Sequence, residues 1–470
     1  MASRGPDPYA LPMMMPANVY HEPTIVVRGL ARLSGSVYIQ PSKNAAQKIL
    51  PSTALFPGKY RVENLPHIAD AAALLEVLRY LDCDVRIESD TAFVDTEDLV
   101  NRKIPRDLTA RSTGTFLFAG ALLARFGKAR IAHPGGDRIG PRPVNLHLDA
   151  FRALGAEVSE HSGYYDISAP SLAGTQFRFG ARTVNGTVNA ILVAAGASGT
   201  TVIENAAYDP DIQNVVEFLN SAGCEIKFED RVAGRIRVVG SARGAGRGTV
   251  RVISDRNDAA TFAVAAAICR GQVRLVRVAY DDLRPLCDLL TGAGVTWAEG
   301  QSDGLPTLSF ESKELRSLSG TVVSERYPGI STDWGPLIQV LMTQVPGESV
   351  FEETVYSNRF AHVPELVKFG AQICLASPGC KGLVDGASFD PEMSYKRAYI
   401  QGPTKLQGCV VKANDVRAGA ALVLAGLASD GVTTVRGTEQ VERGYERFVE
   451  RLQEIGADIQ HTCNGARGQG

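Results

Sequence analysis

At several well-separated points the chain sets a basic side chain beside small, turn-forming residues. Lys43-Asn44 follows the strand-like SVYIQPS and precedes an apolar helix, so both fall at a helix N-terminus. That position already favours anions, and the lysine adds a point charge. Arg111 opens the helical stretch STGTFLFAGALL, and Arg138 and Arg142 lie in the glycine-rich PGGDRIGPRP. Arg359 lies in SNRFAHVPEL, Arg417 in NDVRAGAALVLAG and Arg443 in VERGYERF. Guanidinium groups presented in this way can converge on a phosphate or a carboxylate. Each arginine taken alone reads more readily as solvated surface charge. Asp333, in GISTDWGP, stands at a helix start after a turn, where it could be a general base for a hydroxyl or merely the helix cap. Asp137, in the glycine-rich loop, is either a proton donor or a turn residue. The chemistry suggested is the handling of a small anionic metabolite, whose identity these residues do not give.

Such residues act together only if the fold brings them together, and an internal repeat offers a way. A helix-then-strand phrase with a small-residue turn ends at Val85 (LLEVLRYLDCDV), Val158, Ile226, Val295, Ile373 and Ile459. Each copy has apolar residues at helical spacing, then a glycine or equivalent breaker, then β-branched residues. The copies recur roughly every 70 residues, with the last two intervals longer, a period that fits a small α/β subdomain and not a solenoid. Six copies divide into two groups of three near VRVISDR. The expected organisation is a disordered extension at 1–20, one lobe from 21–42 plus 254–470, and a second from 43–253. Substrates would be enclosed between the lobes, with 134–143 as a lid bearing Arg138 and Arg142.

The 470 residues are too many for one hydrophobic core, and 44% hydrophobic with 21% charged content is ordinary for a globular protein. A formal net charge of -2 excludes the broad basic field of a general nucleic-acid binder. The eight cysteines show no zinc-like spacing, and most are expected to be buried thiols in a reducing compartment. With no signal-peptide pattern and no membrane-length apolar run, the expected location is the cytoplasm.

In combination and in order, several motifs carry a resemblance. They are Lys43-Asn44-Ala45-Ala46, the loop 134–143, Thr332-Asp333, the run Asn358 to Leu366, Asp415-Val416-Arg417-Ala418 and Arg443-Gly444-Tyr445-Glu446. From about Val26 to Ile459 the chain resembles the UDP-N-acetylglucosamine 1-carboxyvinyltransferases. Its Lys-Asn pair is unlike the Lys-Ser of the related 3-phosphoshikimate enolpyruvyl transferases. The resemblance implies an α/β fold, a two-lobed inside-out α/β barrel of six subdomains, three per lobe. It implies transfer of the enolpyruvyl group of phosphoenolpyruvate to a sugar hydroxyl of a uridine nucleotide by addition–elimination, with no metal or organic cofactor. Lys43, Arg142 and Arg443 would hold the phosphate, and Arg359 and Arg417 the carboxylate. Arg111 would be a further anion contact and Asn44 a contact to the intermediate. Asp333 would be the base, with Asp137 and Asp415 also in the catalytic group. Nucleotide contacts would come from Arg142, Pro143, Val144, Asn145, Thr183, Asn185, Gly186, Asp333 and Val355.

Four departures from the pattern stand out. Asp137 replaces the usual loop cysteine, which predicts resistance to the epoxide antibiotic fosfomycin, because a carboxylate is a much poorer nucleophile than a thiolate. Asn145 replaces an aspartate that contacts uracil, and Arg182 to Thr187 replaces Ser-Val-Gly-Ala-Thr beside the diphosphate. The segment between Ile373 and Cys409 exceeds the usual turn. Since the second and third fall on the acceptor side, two acceptors stay open, UDP-N-acetylglucosamine and the 3'-hydroxyl of UMP as used in nucleoside-antibiotic pathways. Other classes are a silent nucleotide-binding protein on this scaffold, or an RNA 3'-phosphate cyclase. The latter would need a nucleophilic histidine, for which His67, His133, His147 and His362 show no motif. Oligomeric state is not legible.

Overall fold

A computed structural model describes residues 23–135, 144–241, 244–356, 359–378 and 382–462. The N-terminal extension and the loop residues Asp137, Arg138, Arg142 and Pro143 lie outside the described residues, as does Asn358. The described residues divide into two compact units, one running from 41 to 135 and 144 to 253 and the other from 23 to 40 and 254 to 462.

The first unit is organised around three helices, α1 (Lys43–Ser52), α2 (Leu117–Phe126) and α3 (Val184–Gly196), which pack on one another. The second is organised in the same way around α4 (Arg256–Ile268), α5 (Gly335–Met342) and α6 (Val416–Ala428). These helices are mostly buried all round, although α1 carries Lys43, Asn44, Gln47 and Lys48 along one side. In α4 every residue from Asn257 to Ile268 is buried, in α5 every residue, and in α6 all but the last. A helix with no side turned to solvent belongs in the middle of a core. The many alanines and glycines let the backbones approach closely, as where the Asn189 amide of α3 meets Gly120 of α2. A Cβ on Gly120 would stand 2.4 Å from Asn189 Oδ1.

Around these helices the described residues form six sheets, three in each unit. Their common plan is a strand leaving an inner helix, an outer helix, then a hairpin whose second strand lies antiparallel between its partner and the first strand. In the first unit, Lys59–Glu63 is followed by the helix Ala69–Tyr80 and the hairpin Asp84–Glu88/Thr91–Asp95. The predicted helix-then-strand phrases are the outer helices with their first hairpin strands, as in Asn145–Ala153 with Glu157–His161 or Pro210–Ser221 with Glu225–Asp230. The breaker is Asp82, Gly155, Gly223, Gly294, Gly370 or Gly456, and all six have φ between 64° and 100°. A left-handed residue there ends the helix and turns the chain into the strand. No closed barrel of strands occurs among the described residues; helices are inside and sheets outside, as the inside-out description requires.

Two repeats deviate. In the last, the strand paired with Asp458–Thr462 is Thr24–Arg28 from the other end of the chain, which also pairs with Val432–Arg436. In the fifth, the hairpin strands Gln372–Ala376 and Arg397–Gly402 are joined by the long segment noted in the sequence. That segment is more than an extended turn. It adds the edge strand Val384–Asp385 and the 3-10 turn Gly386–Ser388, and buries Tyr395 against Phe389. Its Pro and Gly content concealed this strand. The cysteines are also less uniformly buried than expected. Cys83, Cys269 and Cys287 are buried, whereas Cys224, Cys374 and Cys409 are partly exposed.

Candidate active site

Each inner helix begins with a side-chain cap, either on the helix itself or on a 3-10 turn leading into it. Ser42, Thr183, Asp255 and Asp415 cap α1, α3, α4 and α6 directly. Ser112 and Ser331 cap the turns Thr113–Phe116 and Thr332–Trp334 that run into α2 and α5. Asp333 is therefore not the cap; Ser331 takes that role by accepting from the Asp333 N–H at 3.3 Å. The repeat sets equivalent positions at the six helix starts. The second residue after the cap is Asn44, Gly114, Asn185, Asn257, Asp333 or Arg417.

In the second unit these positions meet in one charged cluster. Asp333 Oδ1 accepts from Arg359 Nη2 at 3.0 Å, and Arg417 Nε lies 3.6 Å from Oδ2. Arg359 also donates Nε–H to Thr332 O at 3.2 Å and sets Nη1 3.7 Å from Asp415 Oδ1. That same oxygen caps α6 through the Arg417 and Ala418 N–H groups. The two arginine side chains are 2% and 4% exposed, whereas Asp333 is 24% exposed, so the carboxylate is the accessible member. Burial works against the charge on Arg359, but Asp415, Asp333 and Glu353 outweigh it and hold its pKa above the ordinary value. For Arg417, burial is likewise outweighed, by Tyr445, Asp255 and Asp333.

The guanidinium of Arg417 lies 5.0 Å from the ring centre of Tyr445. Burial raises the Tyr445 pKa despite Arg417, so the phenol keeps its proton. Thr261 Oγ1 donates to Asn257 O at 2.8 Å, which leaves the Tyr445 hydroxyl to donate to Thr261 Oγ1, also at 2.8 Å. Arg443, two residues before Tyr445, is half-buried and donates to Gln440 Oε1 at 3.4 Å. Val355 joins through Glu353, whose Oε1 accepts from the Val355 N–H at 2.6 Å and whose Oε2 accepts from Thr332 Oγ1 at 2.8 Å.

In the first unit, Lys43 and Arg111 are both held by the outer helix Ala69–Tyr80. Lys43 Nζ lies 2.9 Å from Asp70 Oδ2, with both side chains buried, and Arg111 pairs with Glu76 further along the helix. Gln47 donates to Asp70 and to Ser112, tying α1 to the turn before α2. Asn44 is half-buried, and its carbonyl accepts from Lys48, which pairs with Asp211 at 2.5 Å. On α3, Thr183 Oγ1 accepts from the Gly186 N–H at 3.2 Å, a contact too close for a side chain at position 186. Asn185 is half-buried, Val144 buried and Asn145 exposed at the start of its helix. Arg182, one of the departures, is tied to Asn205 Oδ1 and Val232 O.

The family model for EPSP synthase (3-phosphoshikimate 1-carboxyvinyltransferase) matches residues 27–452. UDP-N-acetylglucosamine 1-carboxyvinyltransferase 2 of Carboxydothermus hydrogenoformans is 38% identical over 439 residues, covering 93% of this chain and 99% of that one. The chain belongs to the EPSP synthase family, and it is an enolpyruvyl transferase. Another relative, UDP-N-acetylglucosamine 1-carboxyvinyltransferase of Solidesulfovibrio magneticus, is 36% identical over 436 residues, covering 93% and 99% of the two chains. The crystal structure of the enolpyruvyl transferase NikO from Streptomyces tendae superposes with a TM-score of 0.80 at 25% identity, over 95% of this chain and all of that one. EPSP synthase of Acinetobacter baumannii shares the fold with a TM-score of 0.68 at 19% identity, over 94% and 100% of the chains.

Within this enolpyruvyl transferase, several site partners escaped sequence reading. Asp70, Gln47, Glu353, Asn257 and Trp334 each make a contact with a group at least 20 residues away, beyond any local spacing rule. One signal existed. Aligning the inner-helix starts puts Asn257 in register with Asn44, Asn185, Asp333 and Arg417. Among the described residues no helix is long and apolar enough to cross a membrane.

Proposed function

We propose that this enzyme transfers the carboxyvinyl group of phosphoenolpyruvate to the 3-hydroxyl of UDP-N-acetylglucosamine, releasing phosphate. The observation that carries the reading is Asp333, an accessible carboxylate flanked by two buried guanidiniums. The names of relatives that match over nearly their full length support the acceptor. In the first step Asp137 delivers a proton to C3 of phosphoenolpyruvate, C2 becomes electrophilic, and the sugar oxygen attacks it while Asp333 takes the hydroxyl proton. In the second, the intermediate loses a proton from C3 and expels phosphate. Arg359 and Arg417 hold the carboxylate, and Lys43, Arg142 and Arg443 the phosphate, with Arg111 as a further anion contact. Asn44 contacts the intermediate, and Asp415 orders the start of α6 and faces Arg359. Pro143, Val144, Asn145, Thr183, Asn185, Gly186 and Val355 line the nucleotide, and the working compartment is the cytoplasm.

A second acceptor, the 3'-hydroxyl of UMP, is favoured by Asn145 and the Arg182–Thr187 segment, since these departures fall on acceptor recognition. Phosphate release from phosphoenolpyruvate with each nucleotide in turn, with mass analysis of products, separates the two. A product from UDP-N-acetylglucosamine alone supports the first reading, and one from UMP alone replaces it with the second. No release with either nucleotide overturns both.

A further inference from the structure

Besides its two arginines, the Asp333 carboxylate has a neighbour with no role in the reading above. Asn257, the second residue of α4 and 2% exposed, donates Nδ2–H to Asp333 Oδ2 at 3.2 Å. On its other side, Asn257 Oδ1 accepts from the indole Nε1–H of Trp334 at 2.9 Å. An indole nitrogen only donates, so it dictates which end of the amide must face it. The NH2 end is thereby left pointing at Asp333, which removes the usual ambiguity of an asparagine amide. Trp334 is fully buried, with the Arg256 guanidinium 5.7 Å from its ring centre. The backbone of Asn257 is also held, since Asp255 Oδ1 accepts from its N–H at 2.8 Å.

We propose that Asn257, steered by Trp334, is a positioning residue that fixes the plane of the Asp333 carboxylate toward the acceptor hydroxyl. The proposal rests on the reading of Asp333 as the base for that hydroxyl. Arg359 anchors Oδ1 and the Arg417 charge lies 3.6 Å from Oδ2; the Asn257 donor at 3.2 Å from Oδ2 adds a directional contact that resists turning about the Cβ–Cγ bond. A neutral amide does this without adding another positive charge against the arriving proton. The charged groups facing Asp333 are Arg359 and Arg417, with Asp415, Asp255 and Glu353 behind the guanidiniums and the phenols Tyr356 and Tyr445 beside them. Asn257→Leu and Trp334→Phe leave all of these in place, so a change in the titration of activity reports the amide.

The test is the pH profile of kcat, with KM for phosphoenolpyruvate, measured for Asn257→Leu, Trp334→Phe and Asp333→Asn in the full chain. In Asn257→Leu, kcat is expected to fall about tenfold with KM within about twofold of the parent. Loss of a donor to the ionised carboxylate moves the acid limb of kcat up by about 0.5–1 pH unit. Trp334→Phe keeps a buried ring and removes only the steering N–H; it should shift the limb in the same direction by less, and it decides the matter if Asn257→Leu does not fold. An acid limb at the parental pH in the folded variants, with only the melting temperature lowered, overturns the positioning role. Parental turnover by Asp333→Asn instead overturns the assignment of the base, and this proposal with it. An inactive Asp333→Asn beside an unshifted Asn257→Leu overturns the positioning role alone.

Discussion

Arg451 takes both carboxylate oxygens of Asp258, donating Nη1 to Oδ2 at 2.6 Å and Nη2 to Oδ1 at 2.9 Å. Asp258 is fully buried in the first turn of α4, and Gln40 completes the arrangement. Gln40 donates its N–H to Asp258 Oδ2, accepts from Arg451 and the Glu446 N–H, and donates Nε2–H to Gly444 O. The network therefore fastens the segment bearing Arg443 and Tyr445 to the start of α4. Arg451→Met would leave a buried carboxylate without its charge partner, at a cost of about 3–5 kcal/mol in denaturant unfolding. Removing both charges in Arg451→Met/Asp258→Leu should recover most of that loss. A single variant that unfolds at the parental denaturant concentration would contradict this account.

Asp333→Asn should reduce kcat for phosphate release by about 10²–10⁴-fold, the span of a lost general base. Arg417→Ala should act as strongly, because its guanidinium is the proposed partner of the substrate carboxylate as well as a neighbour of Asp333. Circular dichroism of both variants should match the parent, and normal turnover by either would remove it from the mechanism.

Two buried histidines make stability depend on acid. Burial lowers the His147 pKa from 6.5 to about 4, and burial with the Arg359 charge lowers that of His362 to about 3. His147 Nδ1 lies 2.8 Å from the Asn189 amide nitrogen, so it accepts there as a neutral imidazole must. Because the folded pKa values lie below the unfolded one, the unfolded chain takes up protons first. Nothing is lost above pH 6.5, and stability falls as pH drops from 6.5 toward about 4 and about 3. At pH 5 each histidine should cost about 2 kcal/mol. Comparing unfolding free energies at pH 7.5 and pH 5 in the parent and in His147→Gln/His362→Gln should show the variant losing much less.

Gly370, at φ 92°, has no heavy atom within 4 Å of where a Cβ would stand. Gly370→Ala therefore isolates backbone strain at the helix-to-strand turn and should cost about 1–2 kcal/mol in thermal or denaturant unfolding. Asp82 holds the equivalent turn in the first repeat at φ 64°, and Asp82→Gly should be neutral or stabilising by up to about 1 kcal/mol.

With aspartate at 137, fosfomycin should leave the enzyme active, whereas Asp137→Cys should be inactivated in a time-dependent manner. A parental enzyme that loses activity on incubation with the epoxide would show another nucleophile in reach. Burial pushes the Cys83, Cys269 and Cys287 thiols up to about 12, so none of these three is suited to the role.

The repeat was legible because helical spacing, a left-handed breaker and a β-branched run are all local, and they recur from Val85 to Ile459. Lys43 and Asn44 were legible at a helix start for the same reason. The partners were not: Asp333 meets Asn257 from 76 residues away, and Asp258 meets Arg451 from 193. Asp333 read alone looked like a cap because aspartate caps well, and only the fold shows Ser331 doing so. The strand Val384–Asp385 was hidden by surrounding glycines and prolines, since a two-residue edge strand carries no periodicity.

Thr24 and Thr462 are partners in one sheet, with their hydroxyls 2.6 Å apart. The last repeat thus borrows its missing strand from residues more than 400 positions earlier in the chain, and its sheet is complete only when both are present. New termini opened in the segment 377–396, with a short linker joining 462 to 24, would keep every inner helix and every sheet partner. The sheet of the last repeat would then be built from one continuous stretch of chain, and its stability would no longer depend on the meeting of two distant segments.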